Sequence, residues 1–360
     1  MGTRCDAGAR SGVGHLVRCV ALAEELVARG VEVVFLGEVR DSPWGRAQLD
    51  GRGLPLVPAP GEPEKLAALA RGLGLDAVVL DSYELAPATG SVLRAAGLPV
   101  LAIVDGDPLG QEADLYLDQN LGAEHRPFTL PVTLPVTLPA ALPVTLSAAL
   151  PLTLPGRRLA GAGYVLLRDS VRRRTRAPRP NGPPRVLCFF GGTDSAGVAR
   201  GWADALDATG LPLLGTVVSP VPFDAGPIAV IPPTDRLPEL MAAADLVVTA
   251  AGSAVWELLH LGVPMALTWV AANQLIGYEE LVRRRAAAGL GSAPGPEAVA
   301  VLAELLADPA AREEYGGRGR GLVDGRGRER VADALLDLIL RSGPRSSECP
   351  AARRGRNDAP

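Results

Sequence analysis

The stretch Ser11-Gly12-Val13-Gly14-His15-Leu16-Val17-Arg18 decides how the chain is read. Gly12 and Gly14 let the backbone approach a ligand closely. Leu16, Val20, Ala23, Leu26 and Val27 then recur at helical spacing, so a helix begins at the end of this loop. A helix start presents unpaired backbone amides that suit a phosphate or another anion. His15 falls in the first turn, beside any anion held there, where a base is of use. The same position also fits a histidine that merely faces solvent near a helix start. Such a loop belongs after a buried strand, but only Thr3 to Cys5 are available for one, against about five or six residues in an ordinary strand. That shortage points to a start codon placed downstream of the true one.

Beyond the loop, apolar runs alternate with helical patterns. Strands are expected at Val31–Leu36, Leu54–Ala59, Asp76–Asp81, Pro99–Val104 and Ala113–Leu117, with helices at Glu62–Gly72 and Pro87–Ala96. Strands separated by helices imply a parallel sheet covered on both faces, which binds ligands at the carboxyl ends of its strands. Three of those ends are polar: Asp81-Ser82-Tyr83, Asp105-Gly106-Asp107 and Asp118-Gln119-Asn120. The Asp105-x-Asp107 pair resembles carboxylates that hold a divalent metal on a diphosphate, but strand-end aspartates more often serve as turn or cap residues, and no metal site is assigned. The phenol of Tyr83 can donate to a substrate or simply pack.

From Thr129 to Pro155 a four-residue repeat places proline in phase, which removes backbone donors. This low-complexity insert is expected to be extended, polyproline-like or disordered. Gly163–Arg168 restores strand character, and the basic, proline-rich 172–184 is the expected interdomain linker. The second half repeats the opening design. The strand Arg185–Phe190 runs into Gly191-Gly192-Thr193-Asp194-Ser195 and a helix start, and further strands fall at Leu213–Val218 and Ile228–Ile231. Asp245–Ala251 leads to Gly252-Ser253 and a helix carrying Glu257, a carboxylate placed to reach a ribose hydroxyl or to act as a favourable first-turn charge. After the strand Met265–Trp269, Asn273 and Gln274 offer amides that can read sugar hydroxyls. Helical patterns follow at Pro296–Ala307 and Glu329–Leu340, and the polar, arginine-rich tail after Ser342 is expected to be disordered.

With 360 residues, 48% hydrophobic and 21% charged, the chain has globular composition and room for two cores. A net charge of −4 gives no nucleic-acid footprint. The four cysteines show no metal-binding spacing and are expected to be reduced thiols. No signal peptide or membrane-spanning run is present, so a cytoplasmic protein is expected.

Taken in order, these motifs resemble the PseG/SpsG family, which hydrolyses a UDP-linked 2,4-diacetamido-2,4,6-trideoxyhexose on the route to pseudaminic acid. The resemblance rests on Arg4–Gly8 with Gly12–Arg18, Asp81–Tyr83, Asp118–Asn120, Tyr164–Arg168, Gly191–Asp194, Ala251–Ser253 with Trp256–Leu258, Gly262–Pro264 and Asn273-Gln274. Val104-Asp105-Gly106-Asp107 departs from it, because the family more often has adjacent aspartates there. The second half also resembles MurG-type glycosyltransferases. The likeness implies an α/β GT-B fold, two Rossmann-like domains facing across a cleft: 1–171 with the insert at 129–155, then 185–341 for the UDP-binding domain, with 342–360 as tail. It further implies that His15 activates water, with Tyr83 and Asn273 near the sugar. Gly12, Gly14, Arg18, Gly191, Gly192, Thr193, Gly252, Ser253, Glu257 and Gln274 would bind the UDP-sugar, with inversion at the anomeric carbon and no cofactor. An inverting glycosyltransferase and a non-catalytic nucleotide-sugar binding protein are the alternatives.

Overall fold

The computed structural model describes residues 1–8, 12–126, 132–136, 144–148, 156–176 and 182–343. The predicted tail lies almost entirely outside these residues. In chain order the first-half strands are β1 (Gly2–Cys5), β2 (Ala7–Gly8), β3 (Val34–Leu36), β4 (Val39–Arg40), β5 (Leu56–Val57), β6 (Val78–Asp81), β7 (Val100–Ile103), β8 (Leu115–Asp118), β9 (Val132–Val136), β10 (Val144–Ala148) and β11 (Arg157–Ala160). Seven of them form one parallel sheet in the order β11-β8-β7-β6-β1-β3-β5. β1 lies inside the sheet, next to the central β6, paired with β3 and β6 and buried throughout, and its four residues match the length of β6, β7 and β8. The shortage expected at this strand does not arise.

Helices α1 (Gly14–Ala28), α2 (Pro43–Asp50), α3 (Pro63–Gly72), α4 (Thr89–Ala95) and α5 (Asp169–Arg172) accompany these strands. α1 buries Leu16, Cys19, Val20, Ala23 and Leu26 on one face of the sheet, while Val27, expected on that stripe, is 48% exposed. α3 and α4 cover the other face through Leu66, Ala70 and Leu93. Unbroken apolar runs such as Val78-Val79-Leu80 are what a strand covered on both sides requires.

Two expectations in this half are corrected. Gly163–Arg168 is not a strand: β11 comes earlier, and Gly161, at φ +99, turns the chain out of the sheet. The alternation there has another cause, because Leu166 enters the first-half core while Val165 and Leu167 enter a core of the second half. In the proline repeat, β9 and β10 pair antiparallel, with Pro135 opposite Thr145. A two-stranded ladder leaves each strand an outer edge, where a missing donor costs nothing. The rest of the repeat lies outside the described residues.

The second half builds a six-stranded parallel sheet from β12 (Arg185–Phe189), β13 (Leu214–Val218), β14 (Ala229–Ile231), β15 (Leu246–Ala250), β16 (Met265–Thr268) and β17 (Ala288–Gly289), in the order β14-β13-β12-β15-β16-β17. Its helices are α6 (Ala199–Asp207), α7 (Leu237–Ala243), α8 (Ala254–Leu261), α9 (Leu275–Arg283), α10 (Pro296–Ala307), α11 (Pro309–Arg320) and α12 (Gly327–Arg341). α12 crosses back, placing Val331, Ala332 and Leu335 in the core beneath α1. The chain therefore passes between the halves twice. Each sheet reverses its strand order once, between β1 and β6 and between β12 and β15. Those reversals open the crevices in which parallel sheets hold ligands.

Candidate active site

The carboxyl edges of the two sheets border one cleft, with a cavity of about 280 Å³. Gly12, Gly14, His15, Arg18 and Tyr83 line it from the first half. Gly191, Gly192, Thr193, Gly252, Ser253, Glu257, Asn273 and Gln274 line it from the second, so all the residues expected at the site come together. Gly12 at φ +77 and Gly191 at φ +73 adopt left-handed backbone that favours glycine. The two turns nearly touch across the cleft: a Cβ on Gly14 would lie 3.1 Å from Ser253 Oγ, and one on Gly192 would lie 2.8 Å from Val13 Cγ2.

Helix starts supply the polar floor. Neither α1 nor α8 has a side-chain cap. The first amides of α1 remain available to an anion, while in α8 the Val255 and Trp256 amides turn back to the carbonyls of Gly252 and Ser253 at 3.1 and 3.3 Å, which leaves the Ala254 amide for a ligand. α6 differs. Asp194, at φ +41, accepts from the amides of Val198 and Ala199 at 3.0 and 3.2 Å, so a carboxylate of the chain already occupies that helix start. Burial pushes the Asp194 carboxyl up, against the pull of those two amides.

His15 is the second residue of α1, and its Nδ1 lies 2.5 Å from Asp81 Oδ1 at the end of β6. An ionised carboxylate only accepts, so Nδ1 carries the proton and Nε2 keeps its lone pair. One turn further along α1, Arg18 donates from Nε to Asp81 Oδ2 at 2.7 Å and from Nη2 to Oδ1 at 2.6 Å. Its Nη1 reaches both oxygens of Asp105, after β7, at 3.1 Å. Burial alone would raise the Asp81 carboxyl, but the charges of Arg18 and His15 and their hydrogen bonds outweigh it and hold the group well below the usual carboxylate range. Asp105 is held down in the same way by Arg18 and Tyr83. Two carboxylates thus share one guanidinium, leaving negative charge that a protonated His15 would balance.

Tyr83 donates to Asp105 Oδ2 at 2.5 Å and packs edge-on against the His15 ring, with centroids 4.6 Å apart. Desolvation of its hydroxyl and the Asp105 charge push the phenol above its ordinary value, although the residue as a whole is exposed. From the second half, Asn273 Nδ2 donates to the same hydroxyl at 3.4 Å. Gln274 Oε1 accepts from the Val270 amide at 3.0 Å, which leaves its Nε2 toward Gly252. Glu257 is already engaged: Arg168 donates from Nε and Nη2 to its two oxygens, both at 2.9 Å, and both residues are buried. Each oxygen retains a lone pair, so a ribose hydroxyl can still be accepted.

Several residues were not assigned to the site from sequence: Asp81, which is buried behind His15, and Asp105, Asn120, Arg168 and Trp44, which line the cleft. The signal for the first three was present, as polar residues closing apolar strands. Asn120 Nδ2 donates to Asp105 and Asp118 at 3.1 and 2.9 Å. Trp44 carried no signal. Its indole Nε1 is buried without a partner among the described residues. The Asp105-x-Asp107 pair does not converge: Asp105 serves Arg18, while Asp107 accepts from the Leu109 amide at 2.8 Å. Among the described residues no cluster of three or more His, Cys, Asp or Glu side chains could hold a metal ion. Cys5, Cys19 and Cys188 are free and buried. No described helix is long and apolar enough to cross a membrane.

Two parallel α/β sheets with their switch points opposed across a cleft define the GT-B fold, which this chain shares with solved glycosyltransferase structures. No protein-family model matches the chain, and no curated protein matches its sequence significantly. Solved structures do match. MurG of Acinetobacter baumannii superposes with a TM-score of 0.60 at 17% identity, over 93% of this chain and 99% of that one. The spinosyn forosaminyltransferase SpnP gives 0.61 at 17%, over 94% and 99%. The glycosyltransferase SsfS6 of Streptomyces sp. SF2575, complexed with thymidine diphosphate, gives 0.57 at 16%, over 94% and 99%. At such identities the likeness fixes the fold. The names it carries are mostly those of glycosyltransferases, with a putative UDP-N-acetylglucosamine 2-epimerase of Listeria monocytogenes among them, and nothing at sequence level supports a hydrolase. The expected hydrolysis of a UDP-linked diacetamido sugar is corrected accordingly, in favour of the transferase alternative.

Proposed function

We propose that the protein is an inverting glycosyltransferase that takes its sugar from a UDP-sugar bound in the cleft. The observation that carries this reading is the His15–Asp81 contact at the start of α1, opposite the uncapped start of α8. His15 Nε2 removes the proton from an acceptor hydroxyl as that oxygen attacks the anomeric carbon from the face opposite the diphosphate. Direct displacement inverts the configuration. The proton arrives on a ring whose other nitrogen is held by an ionised carboxylate, so the imidazolium forms against compensating charge. The departing UDP is stabilised by the amides of α8 and α1. Cationic side chains contribute little, because Arg18 and Arg168, the arginines among the described cleft residues, are both paired with carboxylates. Glu257 accepts from the ribose, and Asn273 with Tyr83 borders the sugar. The thymidine diphosphate bound to SsfS6 supports a nucleoside diphosphate as the leaving group.

The test is UDP release from a panel of UDP-sugars with and without candidate acceptors, with the product's anomeric form read by NMR. Release that requires an acceptor and yields an inverted glycoside supports the reading. Equal release without any acceptor overturns it.

A further inference from the structure

We infer that Arg18 is a positioning residue, one guanidinium that holds His15 and Tyr83 in place together, and that it makes no contact with the bound diphosphate. The inference rests on the reading of His15 as the base and adds to it the element that fixes base and phenol relative to each other. A glycine loop followed by a helix and an arginine suggests a phosphate ligand, but the geometry of Arg18 points elsewhere. Its side chain is 7% exposed, and all three of its nitrogens are engaged by carboxylates. Asp81 Oδ1 receives both Arg18 Nη2 and His15 Nδ1, so the arginine sets the carboxylate that sets the imidazole. Arg18 Nη2 also lies 3.2 Å from that Nδ1, since both groups converge on one oxygen. Asp105 Oδ2 receives Arg18 and the Tyr83 hydroxyl, so the same arginine sets the phenol.

Only a planar fork can serve both carboxylates. A lysine keeps the charge but presents a single nitrogen, which cannot span Asp81 and Asp105 with the same set of bonds. Without the fork the two acidic side chains repel, and His15 and Tyr83 lose their common reference. The diphosphate site, built from the starts of α1 and α8, is left intact.

The experiment compares Arg18→Lys and Asp105→Asn with the parent protein in three measurements: UDP affinity by calorimetry, acceptor-dependent kcat, and the downfield proton resonance of His15 Nδ1. For Arg18→Lys, UDP affinity should stay within about threefold, kcat should fall about a hundredfold or more, and the Nδ1 resonance should be lost. UDP affinity weakened tenfold or more with the resonance retained would show that Arg18 grips the diphosphate, and would overturn the inference. If the parent binds UDP but transfers no sugar, the transferase reading fails while the binding and resonance measurements still decide the role of Arg18. If Arg18→Lys does not fold, the same resonance in Asp105→Asn and Asp105→Asn/Tyr83→Phe decides it. It should shift in the first and move no further in the second, and an unshifted resonance in Asp105→Asn sinks the coupling.

Discussion

His15 Nδ1 and Asp81 Oδ1 lie 2.5 Å apart, although 66 positions separate them in the chain. The contact exists because β1 and β6 are neighbours at the switch point of the first sheet, with Cys5 opposite Asp81, so the loop leaving β1 delivers α1 beside the end of β6. A base held in one tautomer by a buried carboxylate loses most of its value when either partner is changed. His15→Ala and Asp81→Asn should each lower kcat by about 10² to 10⁴, with UDP affinity little changed, because both changes alter side chains and leave in place the backbone amides proposed to bind the diphosphate. Steady-state kinetics and UDP calorimetry on the two variants check this. A variant that keeps near-parent kcat would remove its residue from the chemistry.

Asp81 also makes a prediction about acid stability. Its carboxyl is held below the ordinary range, since Arg18 and His15 more than offset its burial. A depressed group stabilises the folded state at every pH above its unfolded value of about 3.9, and that contribution fades as pH falls toward the folded value. Urea midpoints should therefore separate the parent from Asp81→Asn clearly at pH 7, and the gap should narrow below about pH 4. A gap that stays constant down to pH 2 would mean that folding does not depress the Asp81 carboxyl.

The sheets were legible because strands covered on both faces are unbroken apolar runs, as at Val78–Asp81 and Leu246–Ala250. The glycine turns marked both switch points for the same reason that they work, since close approach forbids side chains. α11 was not legible. Its Gly316 and Gly319 pack against Gly262 and Leu259 with no room for a Cβ, so a helix seated tightly on α8 carries the composition of a loop. The site's single residues could be picked out at strand ends, but their pairing could not. Arg18 can span Asp81 and Asp105 only because β6 and β7 lie side by side, and Arg168 meets Glu257 from 89 positions away. Such partners follow from topology, which the local pattern does not contain.

The Arg168–Glu257 pair ties the segment before α5 to α8 beneath the cleft. Glu257→Ala strands a buried guanidinium and should cost about 3 to 5 kcal/mol of stability. Arg168→Met/Glu257→Leu removes both charges and should cost much less than the single change. Urea unfolding of the three proteins measures the difference, and equal losses would mean that the pair contributes no mutual compensation. Glu257→Gln should in addition narrow the preference for UDP over 2′-deoxy-UDP, as expected if the carboxylate accepts from ribose.

Gly192 tests how closely the halves must meet. A methyl group there would stand 2.8 Å from Val13 Cγ2, tighter than packed atoms allow, and 3.5 Å from the Trp44 ring, an ordinary contact. The strain of such overpacking is typically about 1 to 3 kcal/mol. Because Val13 and Gly192 belong to opposite walls, the cleft can relieve it by opening and the cores need not yield. Gly192→Ala should therefore leave the unfolding midpoint nearly unchanged while weakening UDP binding about tenfold, equivalent to about 1.4 kcal/mol. Val13→Ala clears the obstructing methyl and should restore affinity in the double variant. Calorimetry on the single and double variants reads both effects. Parent-like UDP binding by Gly192→Ala alone would mean that the two turns need not approach each other to hold the nucleotide.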